Sequence, residues 1–222
     1  MKLITFQTKE ALSVLQKTGI LTTDASYIDM KKASVPYNWL VPEMKKRNIV
    51  PHNGEKYPIW AWAKCGSSIA PKKKKNYFGT QQKKLVRITF EKQDSEVLLS
   101  DYMAYSFILS GRIIPRTKIE YQNFLQKVEK SGISLDDLKG FVRNEKSDKK
   151  VIELFSKIKK TWNRIFVLKS TVHQACVWNI KLSEVVKIEV LEDTSYMYGT
   201  MNAKRKDGSR PNWKKVYLKF LK

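Results

Sequence analysis

The sequence is poor in the residues that most often build catalytic and metal sites. Its 222 residues include two cysteines and two histidines, and Cys65 and Cys176 lie too far apart to indicate a disulfide framework or a zinc site. P-loop, HExxH, GxSxG and paired CxxC signatures are absent. No run of about 18 apolar residues could cross a membrane. The short apolar stretch at the N-terminus lacks a signal-peptidase site. We therefore expect a cytoplasmic protein with no bound metal and no membrane partner.

Acidic residues are scarce relative to basic ones. Lys and Arg number 43 against 21 Asp and Glu, which gives a formal net charge of +22. Solubility alone needs a net charge of only about 2–8 in a small domain. A positive surplus of this size attracts polyanions, because each neutralised phosphate releases counterions. The charge predicts binding to nucleic acid, DNA or RNA, or to a ribonucleoprotein. A merely solvated lysine surface is the plainer alternative.

Hydrophobic periodicity predicts an α+β fold with a small mixed or antiparallel sheet. We expect an opening strand and helix ended by Gly19. Residues 24–56 are expected to be irregular because of their prolines, apart from a short helix on the core over Val35–Met44. The predicted strands are Leu3–Gln7, Tyr57–Trp62, Leu85–Phe90, Arg164–Leu168 and Val185–Val190. A turn followed by an apolar helix or strand–helix piece is predicted over Asp94–Leu109, and amphipathic helices are predicted over 118–130, 134–143 and 149–162. One domain is expected over 1–203, with a helical insertion at about 118–162. Residues 204–222 are expected to be a basic extension, partly packed as a strand.

Two basic stretches carry aromatic residues beside their lysines and arginines. Cations hold phosphates, and exposed aromatic rings stack on bases. Core packing is the alternative for the aromatic residues of these stretches. The predicted nucleic-acid-binding residues are Lys72, Lys73, Lys74, Lys75, Lys83, Lys84, Lys204, Arg205, Lys206, Arg210, Lys214 and Lys215.

Four segments occur in an order that resembles a known arrangement. These segments are ITFQT followed by a helix and GIL, then IWAW, VLLSDY and QACVWNI. Together they resemble a bacterial and phage family known only as a domain of unknown function. The order is also similar to a remote version of the DNA-targeting ADP-ribosyltransferase toxins. That resemblance implies an ADP-ribosyltransferase-like scaffold and NAD as a possible cofactor.

The resemblance assigns NAD contacts to the first strand and to the aromatic strand. Carried over, Gln7 and Thr8 match the first-strand contacts, and Trp60 and Trp62 match the strand that lines the nicotinamide pocket. The alternative for Gln7 and Thr8 is an edge strand that runs into a helix N-cap. The alternative for the tryptophans is core packing. Asp101 matches an acidic position at the start of a helix.

The chain departs from the toxin pattern at the catalytic position. Where that family has Gln-Ala-Glu, this sequence has Gln174, Ala175 and Cys176. A neutral thiol cannot stabilise the cationic sugar that forms as nicotinamide leaves. The catalytic candidates are then Gln174 and Asp101, with Glu184 and Glu189 nearby in sequence.

Three functions remain open on the sequence. The first is a catalytically silent nucleic-acid-binding protein on a transferase-like scaffold, acting as a phage- or plasmid-linked inhibitor or as a defence or counter-defence factor. The second is an active ADP-ribosyltransferase that modifies nucleic acid or a protein bound to it. The third is a metal-dependent nuclease, in which Glu91, Asp94, Glu96 and Asp101 would hold Mg²⁺.

Overall fold

A computed structural model describes residues 1–23, 30–64, 85–142 and 148–191, together with Tyr217, Leu218 and Leu221. These residues fall into two compact units. Unit 1 comprises the described residues within 1–23, 49–99 and 171–212, and unit 2 those within 24–48, 100–170 and 213–222. The elements in chain order are β1 Lys2–Thr8, α1 Lys9–Thr18, β2 Ile20–Thr22, α2 Met30–Lys45, β3 Ile59–Lys64, β4 Leu85–Glu91, β5 Leu98–Asp101, α3 Tyr102–Ile108, α4 Lys118–Lys130, α5 Leu135–Val142, α6 Lys149–Lys159, β6 His173–Val177, β7 Asn179–Lys181 and β8 Val185–Leu191.

The described strands form two sheets. The larger has the order β5-β6-β3-β1-β4-β8, and the smaller pairs β2 with β7. β1 is antiparallel to both β3 and β4, β3 is antiparallel to β6, and β4 is antiparallel to β8. This mixed architecture confirms the predicted α+β class.

One face of the large sheet builds the hydrophobic core of unit 1. Side chains alternate between the faces of a strand, so every second residue points into the core. The core is completed by Leu15 of α1, which is fully buried. The predicted alternation in β4 is confirmed. The core residues contributed by the central strands are Leu3, Ile59, Ala61, Val86, Ile88, Phe90, Ala175 and Val177.

The first strand and helix, β1 and α1, have the limits that their sequence indicates. Thr8 caps α1, because its Oγ1 accepts a hydrogen bond from the Ala11 amide at 3.2 Å. Gly19 ends the helix with φ of 75°, a left-handed conformation that glycine adopts without steric cost. The expectation of an edge strand is wrong, since β1 lies inside the sheet between β3 and β4.

Two element predictions are wrong in unit 2. The short helix predicted over Val35–Met44 is confirmed as part of α2, but α2 begins at Met30 and continues through Pro36 and Pro42, which were expected to act as breakers. Its buried face of Tyr37, Leu40 and Met44 offsets the amide hydrogen bonds that the prolines remove. Residues 164–168 were expected to form a strand, yet Trp162–Phe166 is a 3-10 turn. Its period of three places Trp162 and Ile165 on one buried side.

Trp162 is the centre of the helical packing in unit 2. Its side chain is fully buried, and the rings of Trp39 and Phe155 meet it edge to face at 5.5 and 5.3 Å. The three helices predicted over 118–162 are confirmed as α4, α5 and α6. Tyr217 and Leu218 are helical, so the predicted C-terminal strand is wrong at these residues. The predicted domain limit at 203 lies outside the described residues.

Candidate functional site

The second face of the large sheet carries a groove that lies wholly within unit 1. We call it the sheet groove. It has a volume of about 540 Å³. One row of paired residues crosses its floor from Trp62 through Ile4 and Thr89 to Lys187. At about 4.8 Å per strand, this row spans about 14 Å. The lining residues are Lys2, Ile4, Trp62, Ala63, Arg87, Thr89, Val186, Lys187 and Glu189.

The sheet groove combines one indole with three cationic side chains. Lys2, Arg87 and Lys187 supply positive charge, and Glu189 is the one carboxylate among the lining residues. Glu189 lies 3.5 Å from the Arg87 Nε and 3.0 Å from the Lys187 Nζ. Its charge is therefore offset within the groove, and the net field stays positive.

The two tryptophans of β3 lie on the groove side of the sheet. Trp60 and Trp62 are half-buried. Their neighbours on the strand, Ile59 and Ala61, are buried in the core. On this strand the residues that pack in the core of unit 1 are therefore Ile59 and Ala61, and the two tryptophans lie on the other face of the sheet. Trp62 lines the groove directly.

The first-strand residues assigned to NAD do not share that face. Gln7 has the same parity as Leu3 and Thr5, and its Nε2 donates to the Thr5 Oγ1 at 2.9 Å. The Thr8 hydroxyl accepts the capping hydrogen bond of α1. Gln7 lies on the opposite face from Trp60 and Trp62, so the four residues do not fit around one bound NAD.

Gln174 and Cys176 share the groove side of the sheet, as the toxin pattern requires for Gln and Glu. Gln174 pairs with Trp62, and Cys176 pairs with Trp60. The Gln174 Oε1 is buried and has no hydrogen-bond partner among the described residues. Burial raises the pKa of the Cys176 thiol well above its usual value, so the thiol stays neutral. The position that the resemblance matched to a catalytic Glu therefore carries no charge.

Neither nearby glutamate replaces the missing carboxylate. Glu189 stands on β8, four strand positions from Cys176 on β6, or about 19 Å at the usual spacing. The Glu184 Oε1 lies 2.8 Å from the Nζ of the buried Lys92, and its Oε2 accepts from the Lys181 amide. Both carboxylates are thus engaged away from Gln174.

Asp101 is a structural carboxylate of unit 2. It is fully buried and caps α3, with its Oδ1 accepting from the amides of Met103 and Ala104 at 2.9 and 3.1 Å. The same oxygen accepts from the Ser170 hydroxyl at 2.8 Å. Its Oδ2 accepts from the amides of Lys169 and Ser170 at 3.0 and 2.6 Å. Five donors occupy this carboxylate, which leaves no room for substrate.

The acidic residues of the nuclease hypothesis are not gathered into a metal site. Glu96 lies 3.5 Å from the Lys92 Nζ, and Glu91 is exposed at the end of β4. Asp94 is exposed, whereas Asp101 is buried in unit 2. Within the described parts of the chain, no group of three His, Cys, Asp or Glu side chains could hold a metal ion.

A family model described as a domain of unknown function, DUF3841, matches residues 2–186. The chain belongs to the DUF3841 family. No curated protein and no solved structure matches the chain. The DUF3841 match contains Trp62, Arg87 and the pair Gln174 and Cys176. Across the described ranges, no helix is long and apolar enough to cross a membrane.

Only half of the twelve predicted nucleic-acid-binding residues lie within the range that the DUF3841 model matches. Lys72–Lys75, Lys83 and Lys84 are inside the matched range, whereas the six between 204 and 215 are beyond it. All twelve lie outside the described residues. Sequence reasoning missed Lys2, Arg87 and Lys187. The alternation of β4 already set Arg87 apart from the core, but strand order was needed to bring Lys2 and Lys187 beside it.

Proposed function

We propose that this protein binds nucleic acid through the sheet groove and that it prefers single strands. The observation that carries the proposal is the juxtaposition of Trp62 with Lys2, Arg87 and Lys187 on one sheet face. An aromatic side chain on a sheet stacks unpaired bases, and flanking cations hold the phosphates between them. The net charge of +22 supports the same partner, since it favours encounter with a polyanion.

We propose further that binding is not accompanied by ADP-ribosyl transfer. The transferase alternative rests on the resemblance of segment order, which also implies the scaffold relationship. It requires an anion beside Gln174, and Cys176 at that position is a buried neutral thiol. Among the described residues, NAD-dependent chemistry therefore has no group beside Gln174 to stabilise a cationic sugar.

Fluorescence anisotropy with labelled 12-nucleotide single strands of DNA and RNA, and with a duplex, tests the binding proposal. Trp62→Ala should weaken single-strand binding by about 5- to 150-fold, the equivalent of about 1–3 kcal/mol for one stacked base. Lys2→Ala with Lys187→Ala should lower the slope of log Kd against log salt by about 1.4, since each phosphate on a single strand contributes about 0.7.

The matched control is Lys9→Ala with Lys17→Ala, which removes two exposed lysines from α1 in the same unit. Its salt slope should stay within about half a unit of wild type. Equal binding by wild type and Trp62→Ala would overturn the proposal. A parallel set with NAD added and the oligonucleotides weighed by mass spectrometry should show no added ADP-ribose. An added mass would establish the transferase instead.

A cytoplasmic location and a role as a phage- or plasmid-linked inhibitor or defence factor belong to the same proposal. The free, buried Cys176 supports a reducing compartment. A protein that binds a nucleic-acid strand without modifying it can act only by blocking access to that strand, which supports a role as an inhibitor.

A further inference from the structure

Unit 2 carries a second groove, between α2 and the end of α6. We call it the helix groove. Its volume is about 500 Å³. Its walls are hydrophilic except for Trp39 and Pro42. The lining residues are Asn38, Trp39, Pro42, Glu43, Lys46, Ser156, Lys159, Lys160 and Asn163.

The two helices present matching polar stripes to the helix groove. Ser156, Lys159, Lys160 and Asn163 follow the spacing i, i+3, i+4, i+7, which places them on one side of a helical path. The core stripe of α6, with Val151, Phe155 and Ile158, is a different set of residues. The polar stripe therefore has no part in holding α6 onto the core.

Residues at helical spacing also follow one side of α2 and continue just past its end at Lys45. Asn38, Pro42 and Lys46 recur every four residues and line the opposite wall. Together the two walls offer three ammonium groups, two amides and a hydroxyl. The ammonium and amide groups can donate hydrogen bonds, which is the chemistry that an anion requires, whereas the Ser156 hydroxyl already donates to the Glu153 carbonyl at 2.8 Å.

The single carboxylate of the helix groove is already neutralised. The Lys46 Nζ and the Arg47 guanidinium each lie 2.7 Å from Glu43. Burial raises the pKa of Glu43, but these hydrogen bonds and charges outweigh burial and lower it. Glu43 is therefore ionised and paired. Lys159 and Lys160 have no acidic partner within 4.0 Å among the described residues.

The floor of the helix groove is held by a stack of planar groups. Phe166 stacks on Trp39 at 5.8 Å, and the Arg47 guanidinium lies 4.0 Å above the Phe166 ring. Trp39 also contacts the buried Trp162 edge to face. Such contacts fix the α2 wall, so Lys46 and Asn38 project from a rigid base.

We propose that the helix groove binds phosphate groups through Lys159 and Lys160, with Lys46, Asn38 and Asn163 around them. The phosphates of a nucleic-acid backbone are the favoured source, and that choice of source rests on the function proposed above. A small phosphate ester is the other source of the same chemistry. The helix groove contacts no base in this proposal, so it contributes affinity for phosphates and no sequence specificity.

The test uses a labelled 12-residue deoxyribose-phosphate oligomer that carries no bases. Its binding is measured by anisotropy over a salt series with wild type and Lys159→Ala/Lys160→Ala. The double variant should bind at least about tenfold more weakly at 50 mM salt, with a slope lower by about 1.4.

Lys149→Ala/Lys150→Ala is the matched control. It removes two adjacent exposed lysines from the same helix, outside the groove. Its slope should change by less than about half a unit. Lys159→Arg/Lys160→Arg keeps the charge and should bind like wild type. Circular dichroism of each variant confirms that α6 is intact.

Isothermal titration with inorganic phosphate separates the two sources. Loss of oligomer binding in Lys159→Ala/Lys160→Ala alone supports the backbone as ligand. Saturable phosphate binding that depends on Lys159 and Lys160, in a protein that binds neither the base-free oligomer nor the 12-nucleotide strands, supports the helix groove and refutes the nucleic-acid function. Unchanged binding of both probes by the double variant overturns the proposal.

Discussion

Replacing Asp101 with asparagine should destabilise the protein strongly. Asparagine can keep the capping oxygen for Met103 and Ala104, but its amide nitrogen replaces Oδ2. That nitrogen then faces the amides of Lys169 and Ser170, which now donate to Oδ2 at 3.0 and 2.6 Å. Two charge-assisted hydrogen bonds are lost in a buried site, at about 1.5–3 kcal/mol each, so we expect a loss of about 3–6 kcal/mol.

Urea denaturation followed by tryptophan fluorescence measures this loss, since Trp39 and Trp162 are buried in the same unit. With a urea dependence of about 1–3 kcal/mol per molar, the midpoint should fall by more than about 1 M. Asp148→Asn is the control. Asp148 caps α6 through one bond to the Val151 amide, and asparagine caps equally well, so its effect should stay below about 0.5 kcal/mol.

The result bears on whether Asp101 acts in catalysis. A carboxylate reserved for a reaction can be replaced by its amide with little effect on stability. If Asp101→Asn unfolded within about 1 kcal/mol of wild type, the five hydrogen bonds would not hold the carboxylate in place. The structural role assigned to Asp101 would then be wrong.

Two more predictions concern close packing and thiol chemistry. Gly111→Ala should cost more than about 3 kcal/mol in thermal or urea unfolding, because its Cβ would lie 2.2 Å from the Leu138 carbonyl oxygen at φ of 61°. Gly132→Ala, at φ of 71° with open space around it, should cost only about 1 kcal/mol, and equal losses would contradict the clash. In a Cys65→Ser background, Cys176 should react with a thiol reagent such as DTNB only when urea unfolds the protein, since the buried thiol has a raised pKa. Rapid reaction of the native protein would show that Cys176 is accessible and ionisable.

Local chemistry made the start of the fold predictable. Thr8 is a good N-cap, and Gly19 is the residue that a left-handed C-cap favours, so the limits of α1 follow from the residues themselves. A short helix over Val35–Met44 was predicted from its apolar residues, but the full length of α2 was not, because Pro36 and Pro42 are unfavourable in any isolated helix. Only the tertiary burial of Leu40 and Met44 overrides that preference.

The two grooves were harder to predict, because neither is local in sequence. The sheet groove joins Lys2, Trp62, Arg87 and Lys187, which strand order brings into adjacent positions. Alternation shows that Trp60 and Trp62 share a face, but it cannot say which partners stand beside them. In the helix groove, the spacing of Lys159 and Lys160 was readable from the sequence, whereas the opposing wall of α2 was not.

The interleaving of the two units constrains how the chain can be made and divided. β1 pairs with β4, and β4 pairs in turn with β8, so the sheet is complete only after residue 191 has left the ribosome. By then residues 100–170 of unit 2 have already emerged. β3 and β4 must therefore wait through most of the synthesis with one edge unpaired, until their partners β6 and β8 are made, which favours slow folding and a need for chaperones. A single cut anywhere between residues 24 and 170 separates parts of unit 1 from each other. Fragments for biochemical study therefore have to be built by joining its separated segments.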